Sequence, residues 1–201
     1  MIVKDTLPTD FKKTIKQQIG YMLPGLLHQH SGRPKSVELR ESFLTWTLDL
    51  NTLLQQALDL KTLRARMSAG SFLPAQETGV WHHQILFDGE PRAWAESEVL
   101  ASGKARVREV SISPLAKKID DAIEWVESPA REWAKSASVH VRLLSLPSLL
   151  MHTFWLLEPR NVYVIGALPK FVNLVERQLF DEAAFIQALY ADLLSREKRN
   201  R

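Results

Sequence analysis

The stretch VWHHQILFDGEPRAWAESEVL, Val80 to Leu100, predicts a β-hairpin. Apolar and polar residues alternate on both sides of Asp88-Gly89, and this dipeptide readily adopts the positive φ angles of a tight two-residue turn. Pro91 is compatible with the start of the return strand, where a missing N–H is tolerated. We therefore expect Val80–Phe87 and Ala93–Val99 to pair as antiparallel strands.

The rest of the chain alternates between helical and strand patterns. Helical spacing predicts helices over Phe11–Met22 (ended by Pro24-Gly25), Val37–Trp46, Asn51–Leu58, the segments after Ser113-Pro114 and Ser128-Pro129, and the chain beyond Gly166. Strand spacing predicts strands near Leu63–Met67 and Asn161–Gly166, and a second hairpin around Pro147-Ser148.

These elements together predict an α+β fold, in which an antiparallel sheet of hairpins has inserted helices and further helices at both termini. We divide the chain into an N-terminal helical extension (residues 1–60), an α+β core (61–166) and a C-terminal helical segment with a basic tail (167–201). The stretch between the first hairpin and Ser113 is predicted to be a loop.

Composition excludes several classes of site. The chain has 201 residues, a net charge of +3 and no cysteine, so it has no disulfide framework, Cys-based zinc site or thiol nucleophile. No phosphate-binding glycine loop, nucleophile elbow or HExxH motif is present, so we expect no cofactor and no metal. The first residues lack the apolar run of a signal peptide, and no segment reaches the roughly 18 apolar residues of a membrane span. We expect a cytoplasmic protein without a membrane partner.

Two adjacent histidines lie in the first strand of the hairpin. Consecutive side chains of a strand point to opposite faces, so His82 and His83 cannot ligate one metal together. His83 shares its face with Trp81 and Ile85, and a single histidine on an apolar face is typically a hydrogen-bonded core residue. Glu96 lies on a polar face of the return strand, which is typical of a solvated surface.

Three segments, in the same order along the chain, resemble the chorismate pyruvate-lyase family. The fold of that family is also used by the ligand-sensing domain of some bacterial transcription regulators. WHHQILFDGEPRAWAESEV resembles the hairpin of that family with its D-G-E-P turn, SPLAKKI resembles its T-P-L-G helix start, and VRLLSLPSLLMHTFWL resembles its closing hairpin. The resemblance covers roughly residues 62–166.

The resemblance also implies a site, and this chain departs from it. The family binds chorismate with an Arg on the first of these strands and a Glu on the last, beneath helical flaps, and releases pyruvate and 4-hydroxybenzoate. The Arg position falls on His83 and the Glu position on Thr153, next to His152. A small Gly of the family falls near Glu96. Without the guanidinium, a dianionic substrate loses its charge-assisted, bidentate recognition.

We therefore predict a chorismate-lyase-like protein that has lost lyase activity and binds a small ligand, such as a small aromatic acid, or a protein partner. The candidate ligand-binding residues are His83, Glu96, Thr153, His152, Arg92 and Arg142. One alternative is a nucleic-acid-associated module that uses a basic surface. Its residues would be Arg33, Lys35, Arg64, Arg66, Lys104, Arg106 and Arg108. The other alternative is a divergent lyase in which Arg92 or Arg142 replaces the missing cation.

Chorismate is the substrate that separates these alternatives. We expect no 4-hydroxybenzoate when purified protein is incubated with chorismate, because a neutral imidazole at position 83 cannot replace a permanently charged guanidinium with five donors. Chromatography of the reaction mixture measures the product. Product formation that is lost on substitution of Arg92 or Arg142 would establish the divergent lyase instead.

Overall fold

The computed structural model describes residues 2–27, 34–50, 75–131, 133, 139–158, 160–166 and 171–199. These residues form three α-helices, nine β-strands and a short 3-10 turn. The helices are α1 (Thr9–Leu27), α2 (Pro114–Glu127) and α3 (Glu182–Arg199). The strands are β1 (Ile2–Val3), β2 (Val37–Leu48), β3 (Ala75–Phe87), β4 (Glu90–Val99), β5 (Ala105–Ile112), β6 (Val139–Leu146), β7 (Met151–Leu156), β8 (Asn161–Gly166) and β9 (Leu179–Asp181), and the 3-10 turn is Pro147–Leu149. The described residues are thus α+β, as predicted.

Contacts group the described residues into two compact units, each built from separate stretches of chain. The first, called the hairpin unit, contains the described residues of Lys4–Thr45 and Thr78–Ser128. The second, called the C-terminal unit, contains the described residues of Met1–Val3, Trp46–Glu77 and Pro129–Arg201. The division into residues 1–60, 61–166 and 167–201 that was made from the sequence stays a prediction. In the part of the chain that the structure describes, no helix has the length and apolar character needed to cross a membrane.

The predicted hairpin is confirmed in the hairpin unit. Strands β3 and β4 pair antiparallel, with Val80 opposite Glu98 and His83 opposite Ala95. Asp88 and Gly89 form the turn with φ angles of 52° and 83°, the left-handed conformation that an Asp-Gly pair tolerates. The strands of this unit are hydrogen-bonded in the order β5-β4-β3-β2.

The helix predicted over Val37–Trp46 is wrong, because these residues lie in strand β2. The prediction relied on Leu39 and Phe43, which are four residues apart. That separation places two side chains on one face of a helix, but it is also a multiple of the two-residue period of a strand. Pairing with neighbouring strands decided between the two conformations, since propensity in such a short apolar pattern is weak.

Three further segments differ from the prediction. Residues 105–112, predicted as a loop, form β5, whose buried Ala105 and Val107 alternate with exposed arginines. Helix α1 continues through Pro24 to Leu27, since an internal proline removes only one helical hydrogen bond. Helix α3 begins at Glu182, after an irregular stretch and β9. The predicted elements at 51–58 and 63–67 lie outside the described residues, as does most of the segment after Ser128-Pro129.

Helices cover both faces of the hairpin-unit sheet. On one face, Ile15, Ile19 and Leu23 of α1 pack in a core with Ile85 and Ala95. The opposite face meets α2. There, the Gln84 amide donates to the Ala116 carbonyl over 3.2 Å, and the Trp94 indole donates to the Ser113 hydroxyl over 2.9 Å. The helix predicted after Ser113-Pro114 is confirmed, and its Ile119, Ile123 and Val126 are buried.

The C-terminal unit contains the second predicted hairpin, β6 and β7, joined at Pro147-Ser148. Strands β7, β8 and β9 continue the antiparallel pairing, and β1 pairs parallel to β6. Helix α3 buries Phe185, Ile186 and Leu189 against this unit. Its Asp192 carboxylate accepts the backbone N–H groups of residues 172, 173 and 174 at 3.0–3.1 Å, which fixes the preceding loop to the helix.

A glutamine of α1 satisfies the outer edge of the hairpin-unit sheet. The Gln18 amide nitrogen donates to the Ala105 carbonyl over 3.1 Å, and the Val107 N–H donates to the Gln18 carbonyl oxygen over 2.7 Å. The side-chain amide thus makes the two hydrogen bonds that a neighbouring strand would make. An exposed strand edge otherwise invites pairing with another chain.

Replacement of Gln18 tests this role. We expect Gln18→Ala to lower the free energy of unfolding by about 1–2 kcal/mol, because two backbone groups at a buried edge lose their partners. Gln17→Ala is the matched control, since Gln17 makes only an exposed 3.4 Å contact to the Tyr21 hydroxyl. Urea denaturation of both variants measures the difference, and equal stabilities would contradict the role assigned to Gln18.

Candidate functional site

His83 is a core residue held by two hydroxyl groups. It is fully buried. Its Nδ1 lies 2.8 Å from the Ser42 hydroxyl and its Nε2 lies 2.7 Å from the Ser97 hydroxyl. A neutral imidazole matches this pair, because one nitrogen donates to a serine oxygen and the other accepts from a serine hydroxyl. Burial lowers the pKa of His83 to about 4, so the ring is neutral at physiological pH.

Glu96 lies on the other face of the sheet from His83. It pairs in register with His82, whose ring stacks on Trp94 with 5.4 Å between ring centroids. Burial raises the pKa of the Glu96 carboxyl, and the negative charge of Glu109 raises it further, while Arg108 opposes the shift. Because His83 and Glu96 point in opposite directions, they do not line one pocket.

The remaining ligand candidates have separate environments. Thr153 and His152 lie in β7 of the C-terminal unit. The Thr153 hydroxyl is buried without a hydrogen-bond partner among the described residues, and burial lowers the pKa of His152 to about 4. Arg142 places its guanidinium 3.7 Å from the centroid of the Trp46 ring. Arg92 is exposed on β4.

The basic residues proposed for nucleic acid do not form a free cationic surface on β5. Arg106 forms an ion pair with Glu98, and Arg108 lies 3.9 Å from the other oxygen of the same carboxylate. Lys35 and Lys104 are exposed. Arg33, Arg64 and Arg66 lie outside the described residues. Among the residues that the structure describes, no cluster of three His, Asp or Glu side chains is placed to hold a metal ion.

A cavity of about 410 Å³ lies within the hairpin unit, between α1 and the sheet. One wall is a stripe of α1 that includes Ile19, Leu23 and Leu27, spaced by four residues. The opposite wall contains Val37 and Leu39 of β2 and Ile85 of β3. These residues come from three separate parts of the chain, which is why strand and helix patterns alone did not reveal the site. The wrongly predicted helix at Val37 also concealed one wall.

A second row of α1 residues gives the cavity its polar end and its open space. Lys16, Gly20 and Pro24 line it at four-residue spacing, and Lys16 is the one ionisable residue among the lining residues described. Gly20 has no atom within 4 Å of where a Cβ would stand. Pro24 has no N–H to donate to the Gly20 carbonyl. Gly20 and Pro24 are exposed, and each directly follows a buried residue of the helix, Ile19 or Leu23. A glycine and a proline beside the apolar stripe were the sequence signal for this site.

The cavity lies on the face of the sheet that His83 shares with Ile85. The structure places α1 on that face, since Ile85 faces α1 and Gln84 faces α2. Ile85, two residues from His83, contacts the cavity, whereas His83 is enclosed by its serine partners.

No protein-family model matches the chain, and neither a curated protein nor a solved structure matches it. The resemblance to chorismate pyruvate-lyase therefore stays a prediction from the sequence. The candidate site rests on its own geometry.

The buried His83 predicts a pH-dependent stability. Its pKa is about 4 in the folded chain and 6.5 in the unfolded chain, so between these values only the unfolded chain binds the proton. Stability is complete above about pH 6.5 and falls as the pH decreases toward 4, by at most about 1.4 kcal/mol per pH unit. We expect His83→Asn to make this dependence shallower in urea denaturation across that range.

The control for this measurement is His140→Asn, because His140 is exposed. His152 adds a dependence of the same sign, whereas the raised pKa of Glu96 adds one of opposite sign. Both groups remain in each variant, so the difference between variants isolates His83. A His83→Asn profile that is parallel to that of the parent chain would show that burial does not lower the pKa of His83.

Proposed function

We propose that this chain is a binding module for a small apolar molecule, which it holds in the cavity between α1 and the sheet of the hairpin unit. The observation that carries the proposal is the cavity itself, with its volume of about 410 Å³ and its mainly apolar walls. Small-molecule sites typically have volumes of roughly 300–1,000 Å³ and walls of this composition.

The energetics of the cavity favour an occupant. Aliphatic side chains from a helix and two strands meet in a concave space, and Leu27, Val37 and Leu39 among them remain partly exposed to water. Each Å² of apolar surface that a ligand covers contributes about 25 cal/mol. An apolar ligand would thus restore the packing that the chain leaves incomplete at this position.

The chemistry of the walls favours binding over catalysis. General acid–base catalysis needs a group with a pKa suited to proton transfer within reach of the substrate. The shifted His83 is enclosed by Ser42 and Ser97, and Glu96 points to the other face. A binding role is also consistent with the resemblance to a lyase whose substrate-binding Arg and Glu positions are replaced by His83 and Thr153. A small aromatic acid is one ligand of suitable size.

Gly20→Leu tests the proposal by filling the cavity. The new side chain meets no atom near its Cβ, and leucine is favoured over glycine in a helix by up to about 1 kcal/mol. We expect the variant to be at least as stable as the parent chain, and to bind the neutral fluorescent probe N-phenyl-naphthylamine at least about tenfold more weakly, a loss near 1.4 kcal/mol. Fluorescence titration and thermal unfolding measure the two quantities.

Gly25→Leu is the matched control. Gly25 lies in the same helix, also has free space around its Cβ, and is not among the lining residues. We expect this variant to bind the probe like the parent chain. No binding by the parent chain, or equal binding by both leucine variants, would refute the cavity as the ligand site.

A further inference from the structure

We infer that the ligand is an elongated monocarboxylic acid, whose carboxylate pairs with Lys16 and whose apolar tail extends along α1 toward Leu27. This inference rests on the proposed function and adds the chemical class and the orientation of the ligand. The first support is the shape of the site. The lining stripe from Lys16 to Leu27 spans about 16 Å along the helix, at roughly 1.5 Å per residue. A compact ligand would leave much of this length in contact with water.

The distribution of charge gives the head group of the ligand. Lys16 is at one end of the stripe, and the other described lining residues are aliphatic, glycine or proline. No ion pair between described residues involves Lys16. A cation beside an apolar cavity is complementary to an anion that is attached to an apolar body.

A single lysine also favours one carboxylate over more highly charged groups. The ammonium group is a compact point charge with one positive unit, and it lacks the planar fork with which arginine binds phosphate or a dicarboxylate. No second cation lines the described part of the cavity to balance a dianion. We therefore assign a monoanion to this end of the site.

A lipid membrane is the alternative partner for this site, because it also presents anionic groups that are attached to apolar chains. Helix α1 has exposed Lys12, Lys13 and Tyr21 outside the cavity, a combination also found in helices that lie on membranes. However, three apolar residues of α1, Ile15, Ile19 and Leu23, are buried in the protein core and are not free to enter a bilayer, which leaves Tyr21 and Met22 as the exposed large hydrophobic residues of this helix. The cavity therefore fits a free acid in solution better than a membrane.

The test compares an acid with its neutral analogue. Decanoic acid and decanol, each below its aggregation limit, compete with N-phenyl-naphthylamine for the parent chain. We expect the acid to bind roughly two- to fivefold more tightly than the alcohol at low salt, the range for an ion pair with an exposed lysine. The preference should decrease at high salt because of screening.

Lys16→Met keeps the length of the side chain and removes its charge, so we expect the acid to lose its preference while the alcohol binds as before. Lys13→Met is the control, because Lys13 is exposed on α1 and does not line the cavity. Equal binding of acid and alcohol by the parent chain, or an unchanged preference in Lys16→Met, would refute the carboxylate assignment and leave the apolar site intact. Failure of both ligands to displace the probe would refute the proposed function as well.

An experiment with lipid vesicles distinguishes a free acid from a membrane as the partner of this site. We expect phosphatidylglycerol vesicles not to sediment the protein, and free decanoic acid to displace the probe in their presence. Sedimentation that depends on Lys16, without displacement of the probe by the free acid, would overturn the inference in favour of a membrane contact.

Discussion

The pairing of β3 with β4 around Asp88-Gly89 is the constraint on which the hairpin unit depends. The turn fixes which residues of β3 face α1 and which face α2, because a shift of one residue would reverse every side chain. Asp88 also fixes a more distant part of the chain. Its carboxylate accepts the backbone N–H groups of Lys35 and Ser36, each over 2.8 Å. The start of β2, which provides Val37 and Leu39 to the cavity, is thus held beside the same turn.

Two polar residues of β3 near the cavity, His83 and Gln84, have structural roles and do not line it. His83 is buried and neutral, and two serine hydroxyls satisfy it, so its contribution is to packing and to the pH dependence of stability. Gln84 reaches across the opposite face to the backbone of α2. Only Ile85, the next residue, contacts the cavity. The part of the cavity wall that β3 provides is therefore apolar, because the neighbouring polar side chains of the strand make hydrogen bonds elsewhere.

Helix α1 combines three roles along one short segment. Its buried residues complete the core, Gln18 satisfies the free edge of β5, and Lys16, Gly20 and Pro24 shape the cavity. These roles conflict to some degree, since a glycine and a proline weaken a helix by about 1 and 3 kcal/mol relative to alanine. Packing of the apolar face against the sheet offsets that cost. The presence of these two helix-weakening residues in α1 is consistent with the proposal that this helix forms one wall of a ligand site.

The sequence by itself determined the elements whose signals are local. The Asp-Gly turn, the Ser-Pro start of α2 and the Pro-Ser turn between β6 and β7 each depend on the backbone preferences of a few neighbouring residues, and all three were predicted correctly. Alternation also placed His82 and His83 on opposite faces. Tertiary structure decided what local signals left open. The apolar spacing in β2 suits both a helix and a strand, and pairing with neighbouring strands made it a strand. Residues 105–112 form β5 because β4 is available for pairing. The cavity depends entirely on tertiary structure, because its walls come from α1, β2 and β3 and form only when these segments pack together.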